Sequence, residues 1–176
     1  MKFTATKIPG VTVVEREARS DERGSFARTY CAREFGAAGL ELRVAQTNLS
    51  ANTRKGTLRG MHYQAHPNPD PKLVSCLRGA IFDVAVDLRP DSPAYRDWFG
   101  VELTDSNGLA LFVPAGCAHG FLTLRERTEV GYLMGEFYVA ELARGVRWND
   151  PAFGIEWPGQ PAVISQRDAS YPDFVP

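Results

Sequence analysis

Hydrophobic and polar positions along the chain alternate mainly with a period of two, in short runs broken by glycine and proline. Strand character is carried by Val11–Glu15, Leu42–Ser50, Thr57–Gln64, Lys72–Leu77, Ala80–Arg89, Phe99–Leu103, Leu109–Val113, Gly120–Leu124 and Glu129–Tyr138. In the clearest run, Ile81-Phe82-Asp83-Val84-Ala85-Val86-Asp87-Leu88, the side chains of Phe82, Val84, Val86 and Leu88 alternate with smaller or charged ones, which predicts that these four face a core. Helical pattern is sparse. One helix is expected over Ala32–Ala38, ended by Gly39 as a left-handed cap, and a short turn near Ala140–Arg144. Many short strands joined by Gly/Pro turns predict an all-β sandwich or closed barrel. Periodicity does not choose between a jelly roll and an immunoglobulin-like sandwich.

The chain has 176 residues, and neither a repeat nor a low-complexity linker divides it, so a single domain over residues 1–176 is expected. With 20 basic and 21 acidic residues, no bulk field favours nucleic acid or an anionic membrane, and an anionic ligand must be met by a local cluster of Arg and Lys. The first ten residues lack the apolar run of a signal peptide and no later stretch suits a membrane span, which predicts a cytoplasmic protein. Cys31, Cys76 and Cys117 form no C-x-x-C pair and read as small buried hydrophobes.

Three segments put polar residues where a strand should hide apolar ones. Gln46, Asn48 and Ser50 share one face of a regular strand, which then meets either water or a polar cavity. In Thr57–Gln64, His62 and Gln64 share a face with Arg59 close by, and in Glu129–Tyr138 the tyrosines Tyr132 and Tyr138 have the same parity. Taken singly, a strand histidine or tyrosine is an ordinary structural residue. Together, and with only His62, His66 and His119 present, they point to a polar site. That site is a poor metal centre. A cupin metal arm needs two histidines one residue apart and a carboxylate soon after, whereas here His62 is followed by Tyr63-Gln64-Ala65-His66, with His66 before Pro67. No metal and no cofactor are expected.

Asp21-Glu22-Arg23-Gly24-Ser25-Phe26, Gln46-Thr47-Asn48-Leu49-Ser50, Gly56 to Gln64, Lys72-Leu73-Val74, Asp83 to Arg89, Ala118-His119-Gly120-Phe121, Trp148-Asn149-Asp150-Pro151, Ile155-Glu156-Trp157-Pro158 and Ser165-Gln166-Arg167-Asp168 occur in that order. This series resembles the successive motifs of the dTDP-4-dehydrorhamnose 3,5-epimerases, from about Phe3 to Asp173. The resemblance implies an all-β, cupin-type jelly-roll barrel with a few short helices, a homodimer exchanging the region around Arg23 and Phe26, and a nucleotide-sugar substrate. It implies His62 as general base, Asp168 as its carboxylate partner and Tyr132 as general acid, with Tyr138 the alternative donor. Lys72 and His119 would lie near the 4-keto oxygen or adjacent hydroxyls. Arg23, Phe26, Arg28, Gln46, Asn48, Arg59, Arg167 and Tyr138 would bind the nucleotide and its phosphates.

Such roles suit the chemistry: a proton beside a ketone leaves only if a base takes it and the enolate is stabilised, and inversion needs a donor on the other face. Arg28 and Ala143 stand where many members carry acidic residues, so the resemblance leaves open the nucleotide, the sugar and whether C3, C5 or both invert. The alternatives are a noncatalytic or ketoisomerase-like nucleotide-sugar cupin and a metal-dependent cupin.

Overall fold

The computed structural model describes residues 1–175. Strands β1 (Lys2–Ala5), β2 (Thr12–Glu15), β3 (Ala18–Asp21) and β4 (Gly24–Ala27) precede helix α1 (Ala32–Ala37). Then come β5 (Gln46–Asn52), β6 (Thr57–Gln64), β7 (Lys72–Arg78), β8 (Ala80–Asp87), β9 (Trp98–Thr104), β10 (Leu109–Val113), β11 (Cys117–Thr123) and β12 (Thr128–Met134). A 3-10 turn (Ala140–Leu142), β13 (Ala143–Gly145), β14 (Val163–Ile164) and helix α2 (Gln166–Ala169) complete the described chain. One sheet has the order β1-β2-β10-β7-β12-β5, the other β13-β6-β11-β8-β9 with β14 beside β6, and β3 and β4 pair only with each other. This is the expected all-β jelly roll with short helices.

Between the sheets, one end of the interior is apolar. Ile8, Val11, Val74, Ile81, Leu103, Leu111, Val113, Phe121 and Val130 pack there in one cluster. At the other end the same strands present polar side chains around a cavity, which is the candidate site. Burial is not confined to the space between the sheets. Phe82, Val84, Val86 and Leu88 do pack in a hydrophobic cluster, but on the outer face of β8, beneath Val146, Phe153, Trp157 and Phe174. Ile81 and Ala85 of β8 join the inner cluster instead, and Asp83 and Asp87, with the same parity, are fully buried. A second outer cluster around Phe35 of α1, with Phe3, Tyr30, Leu42 and Phe112, covers the first sheet.

Elements differ from the sequence pattern where side chains are used elsewhere. The run from Leu42 becomes strand only at Gln46, because Leu42 is committed to the Phe35 cluster. The run to Tyr138 stops at Met134: Gly135 still donates its N–H to the Pro71 carbonyl at 2.7 Å, but Pro71 has no N–H to return and the chain leaves the sheet. Helix α1 ends near the expected place, with Gly39 at φ 72°. The segments that form β1, β3, β4, β13 and β14 have two to four residues each, too few to show a period.

Strands β6 and β11 pair with a register shift: His62 lies opposite His119, but Arg59 lies opposite Phe121. One extra residue is therefore held in β6 at Gly60–Met61, a bulge that reverses the facing of everything before it. In a regular strand Arg59 and His62 would point to opposite faces; here both border one cavity. Gly60 allows this, with φ 128° and no room for a side chain, since a Cβ would stand 2.5 Å from Gly120 Cα. Gly60→Ala is expected to lose about 2–4 kcal/mol from backbone strain and overpacking, read as a lowered denaturant midpoint in equilibrium unfolding. An unchanged midpoint would show that the close approach does not constrain the strand.

Candidate active site

The polar end of the interior is a cavity of about 330 Å³ bordered by Asn48, Ser50, Arg59, His62, Lys72, His119, Tyr132, Tyr138, Ala143 and Arg167 among others. Each wall comes from one sheet. Strands β5, β7 and β12 supply Asn48, Lys72 and Tyr132, while β6 and β11 supply Arg59, His62 and His119. Because β12 is hydrogen-bonded between β5 and β7, Tyr132 stands opposite both Asn48 and Val74 in the ladder.

Two histidine–carboxylate pairs are built into the wall of the second sheet. His62 Nε2 is 2.7 Å from Asp168 Oδ1, and the other oxygen of Asp168 accepts the Gly60 N–H at 3.2 Å. Ser165 caps α2 by accepting the Asp168 N–H at 3.1 Å, which fixes the carboxylate behind the imidazole. His62 is 45% exposed at its side chain and Asp168 only 6%, so the imidazole faces the cavity and the acid does not. Burial pushes the Asp168 carboxyl up, but the His62 bond and charge, with the Gly60 N–H, outweigh it and hold Asp168 below its ordinary value.

In the second pair, His119 Nε2 lies 2.7 Å from Asp83 Oδ1. Asp83 Oδ2 is buried with no hydrogen-bond partner, and burial pushes this carboxyl up against the pull of His119 and Lys72. The Tyr132 ring meets the His119 ring edge-on, with centroids 6.0 Å apart. Burial pushes the Tyr132 phenol well above its usual range; Asp83 adds to this and Arg59 opposes it. Tyr132 is thus kept as a protonated hydroxyl at neutral pH. Lys72 is buried and forms an ion pair with Asp70 at 2.7 Å.

The sequence-derived site residues fall into two groups. His62, Asp168, Tyr132, Lys72, His119, Arg59, Asn48, Tyr138 and Arg167 come together at the cavity. Gln46 is tied to its rim, donating to Asn48 Oδ1 at 3.2 Å and accepting the Tyr138 N–H at 3.1 Å. Arg23, Phe26 and Arg28 do not reach the cavity of the same chain. They belong to the β3–β4 hairpin and the segment after it: Phe26 is 79% exposed, Arg23 pairs with Asp21, and Arg28 pairs with Glu34 at 2.5 Å. The parity of Tyr132 and Tyr138 also misleads, because Tyr138 lies beyond β12 in a loop folded back over the opening. That loop is held by Gln64, which donates to the Phe137 carbonyl at 3.0 Å and accepts the Val139 N–H at 2.8 Å.

Asp83 and Asp70 were not singled out by the pattern. Asp83 had a visible signal, a carboxylate inside an otherwise apolar strand, whereas the pairing of Asp70 with Lys72 arises from loop geometry. Among the described residues no group of three or more His, Cys, Asp or Glu is arranged to hold a metal ion, and no helix is long and apolar enough to cross a membrane.

A family model described as dTDP-4-dehydrorhamnose 3,5-epimerase matches residues 5–175. The chain belongs to this family. It is 42% identical over 175 residues to a dTDP-4-dehydrorhamnose 3,5-epimerase of Sinorhizobium fredii, covering 99% of this chain and 90% of the relative. Its fold superposes on the crystal structure of the dTDP-4-dehydrorhamnose 3,5-epimerase of Elizabethkingia anophelis with a TM-score of 0.95 at 37% identity, over 99% of this chain and 96% of that one. A Legionella pneumophila dTDP-6-deoxy-D-glucose-3,5-epimerase, solved in complex with dTDP-4-keto-L-rhamnose, matches with a TM-score of 0.91 at 35% identity, over 97% of this chain and 90% of that one. The family is one of carbohydrate epimerases, which are isomerases.

Since the folded-state pKa of Asp168 lies below its ordinary value, its ionised form contributes stability that is complete above about pH 4 and lost as pH falls through the lower folded value. Asp168→Asn should therefore unfold more easily than the unaltered protein at pH 7, by about 1–3 kcal/mol. The difference should shrink below about pH 4. Urea unfolding across a pH series checks this, and a gap of constant size would contradict it.

Proposed function

We propose that this protein epimerises a dTDP-linked 4-keto-6-deoxyhexose in deoxysugar biosynthesis, at C3, C5 or both, through enolate intermediates. The observation that carries the proposal is His62 of one sheet, bonded to Asp168 of helix α2, with the buried Tyr132 hydroxyl on the sheet that faces it. Neutral His62 takes the proton from the carbon next to the ketone, and the electron pair of that C–H bond moves into the enolate. Asp168 stabilises the imidazolium that results and keeps the ring oriented. Lys72 and His119 bind the oxygen on which charge develops, in a site where little water screens them. Tyr132 then gives its hydroxyl proton to the carbon from the opposite side, which inverts the centre; it recovers a proton from solvent, and the His62 imidazolium releases to solvent the one it took. Its raised pKa favours that recovery.

Arg59, Arg167, Gln46 and Asn48 hold the nucleotide and its diphosphate, with Tyr138 stacking on the base. Ala143 borders the cavity and so acts on ligand fit directly. No metal or cofactor takes part. The chain works as a single domain whose two sheets share one interior. All three cysteines are free thiols, which supports a reducing, cytoplasmic setting.

Arg23, Phe26 and Arg28 act in this scheme across a homodimer, each hairpin reaching the neighbouring protomer's cavity. The support is that the hairpin pairs with no other strand of its own chain, and that the outer face of the first sheet leaves Leu49 and Leu77 62% and 56% exposed. Such a face is a suitable seat for a second copy. Light scattering at micromolar concentration should give twice the chain mass; a monomer would remove these three residues from the site.

Incubation with candidate 4-keto sugars in deuterated water, followed by NMR, tests the chemistry. His62→Ala should abolish both deuterium entry and inversion. Tyr132→Phe should still admit deuterium at the sugar carbon while slowing inversion by about 10²- to 10⁴-fold. Normal inversion by Tyr132→Phe, with its loss in Tyr138→Phe, would transfer the acid role to Tyr138.

A further inference from the structure

The segment that delivers Asp168 to the base also delivers an aromatic ring. Helix α2 ends at Ala169, Ser170 caps it, and Tyr171 follows. The Tyr171 ring meets the His62 imidazole in a T-shaped arrangement, with centroids 6.5 Å apart and planes at 72°. Its opposite neighbour is backbone. Gly145 of β13 lies directly across the ladder from His62, and a Cβ on Gly145 would overlap the tip of the Tyr171 ring. The missing side chain at that position is what opens a slot beside His62, and Tyr171 fills it. The Arg167 guanidinium lies over the same ring, 6.0 Å from its centroid.

The hydroxyl of Tyr171 is buried and makes no hydrogen bond of good geometry, the Arg167 guanidinium being its charged neighbour. A buried hydroxyl without a well-formed hydrogen bond contributes little to burial, so the ring is held in its slot chiefly by packing against Gly145. Asp168 bonds only Nε2 of His62, which leaves the imidazole free to swing about that bond unless a second contact restrains it. With the side chain of His62 45% exposed, the cavity itself provides little restraint. A ring in edge contact supplies it.

We infer that Tyr171 is a positioning residue for His62: its ring, seated over Gly145, holds the imidazole in the orientation at which Asp168 and the sugar carbon are both in line. The inference rests on His62 being the proton-abstracting base. Misplacing a reacting group by about an ångström costs on the order of 10²-fold, so Tyr171→Ala should lower kcat by about 10- to 100-fold. KM should change much less, and the entry of solvent deuterium at the sugar carbon should slow in the same proportion as kcat. Tyr171→Phe keeps the ring and sheds the hydroxyl. It should retain the normal rate and unfold at the same or a higher temperature.

The experiment measures kcat, KM, deuterium entry and thermal unfolding for the unaltered protein and for Tyr171→Ala, Tyr171→Leu and Tyr171→Phe, with a dTDP-4-keto-6-deoxyhexose as substrate. Slowed kcat and exchange in Ala and Leu, with full rate in Phe, bears the inference out. It is overturned if Ala keeps the normal kcat, if Phe is as impaired as Ala, which would make the hydroxyl the acting group, or if KM rises at constant kcat, which would assign the ring to Arg167 and ligand binding. Should Ala be unfolded at the assay temperature, Leu against Phe decides: a slower Leu supports positioning and an equal Leu refutes it. A protein that is itself unable to exchange or invert would overturn the functional reading, and this inference with it.

Discussion

The single extra residue in β6 is the constraint on which the site depends. Side chains on a strand alternate strictly between faces, so a wall of polar residues along one strand can come only from every second position. The bulge at Gly60–Met61 breaks that rule once, and Arg59 joins His62 on the interior face. The same kink leaves the Gly60 N–H outside the ladder and aims it at Asp168, which is thereby held between a backbone donor and the imidazole. Its tolerance is narrow, because the backbone of β11 passes where a side chain on Gly60 would lie.

The interior places ionisable groups where solvation is poor, and it does so by pairing. Asp168 with His62, Asp83 with His119 and Asp70 with Lys72 are each bonded at 2.7 Å. Removing one partner of such a pair would leave an uncompensated charge in a low-dielectric setting. The two histidine pairs are not equivalent. Asp168 is held below its ordinary pKa by well-placed donors, whereas Asp83 is pushed above it by burial and keeps an oxygen without a partner. A carboxylate that stays ionised favours an imidazolium beside it, which is what a base needs after it has taken a proton. The less favourable environment of Asp83 lies beside Tyr132 and contributes to keeping that phenol protonated.

The open end of the cavity is shaped by loops rather than strands. Gln64 continues the interior row of β6 but spends its amide on the carbonyls and N–H groups of the two loops that border the opening. It thereby sets where Tyr138 stands, although its own side chain is almost entirely buried. The hairpin carrying Arg23 and Phe26 behaves oppositely. Its hydrogen bonds close within itself, so its position relative to any cavity is governed by what packs against it.

Much of this was legible in the order of residues. Alternation in β8, and short runs of strand character between Gly/Pro turns in β6 and β10, were sufficient to read them as strands, and the polar row Gln46, Asn48, Ser50 marked the strand that borders the cavity. Motif order was the only sequence signal joining His62, Asp168 and Tyr132, which lie far apart in the chain, and the structure brings all three to one cavity. Other features could not be read, for definite reasons. Parity placed Tyr132 and Tyr138 on one face, but the strand ends between them at Met134, since Pro71, opposite Gly135, has no N–H with which to continue the ladder. Alternation in β8 gave the apolar face correctly but not that it points outward, because the residues that cover it come from Val146 to Phe174, far along the chain. The facing of Arg59 depends on a register shift against β11, and the seat of Tyr171 depends on a missing side chain in β13. The sequence by itself determined the longer strands, the chemical groups and the family. Tertiary structure alone decided which faces look inward and which groups touch, because facing and contact are properties of paired strands and no single strand encodes its partner's register.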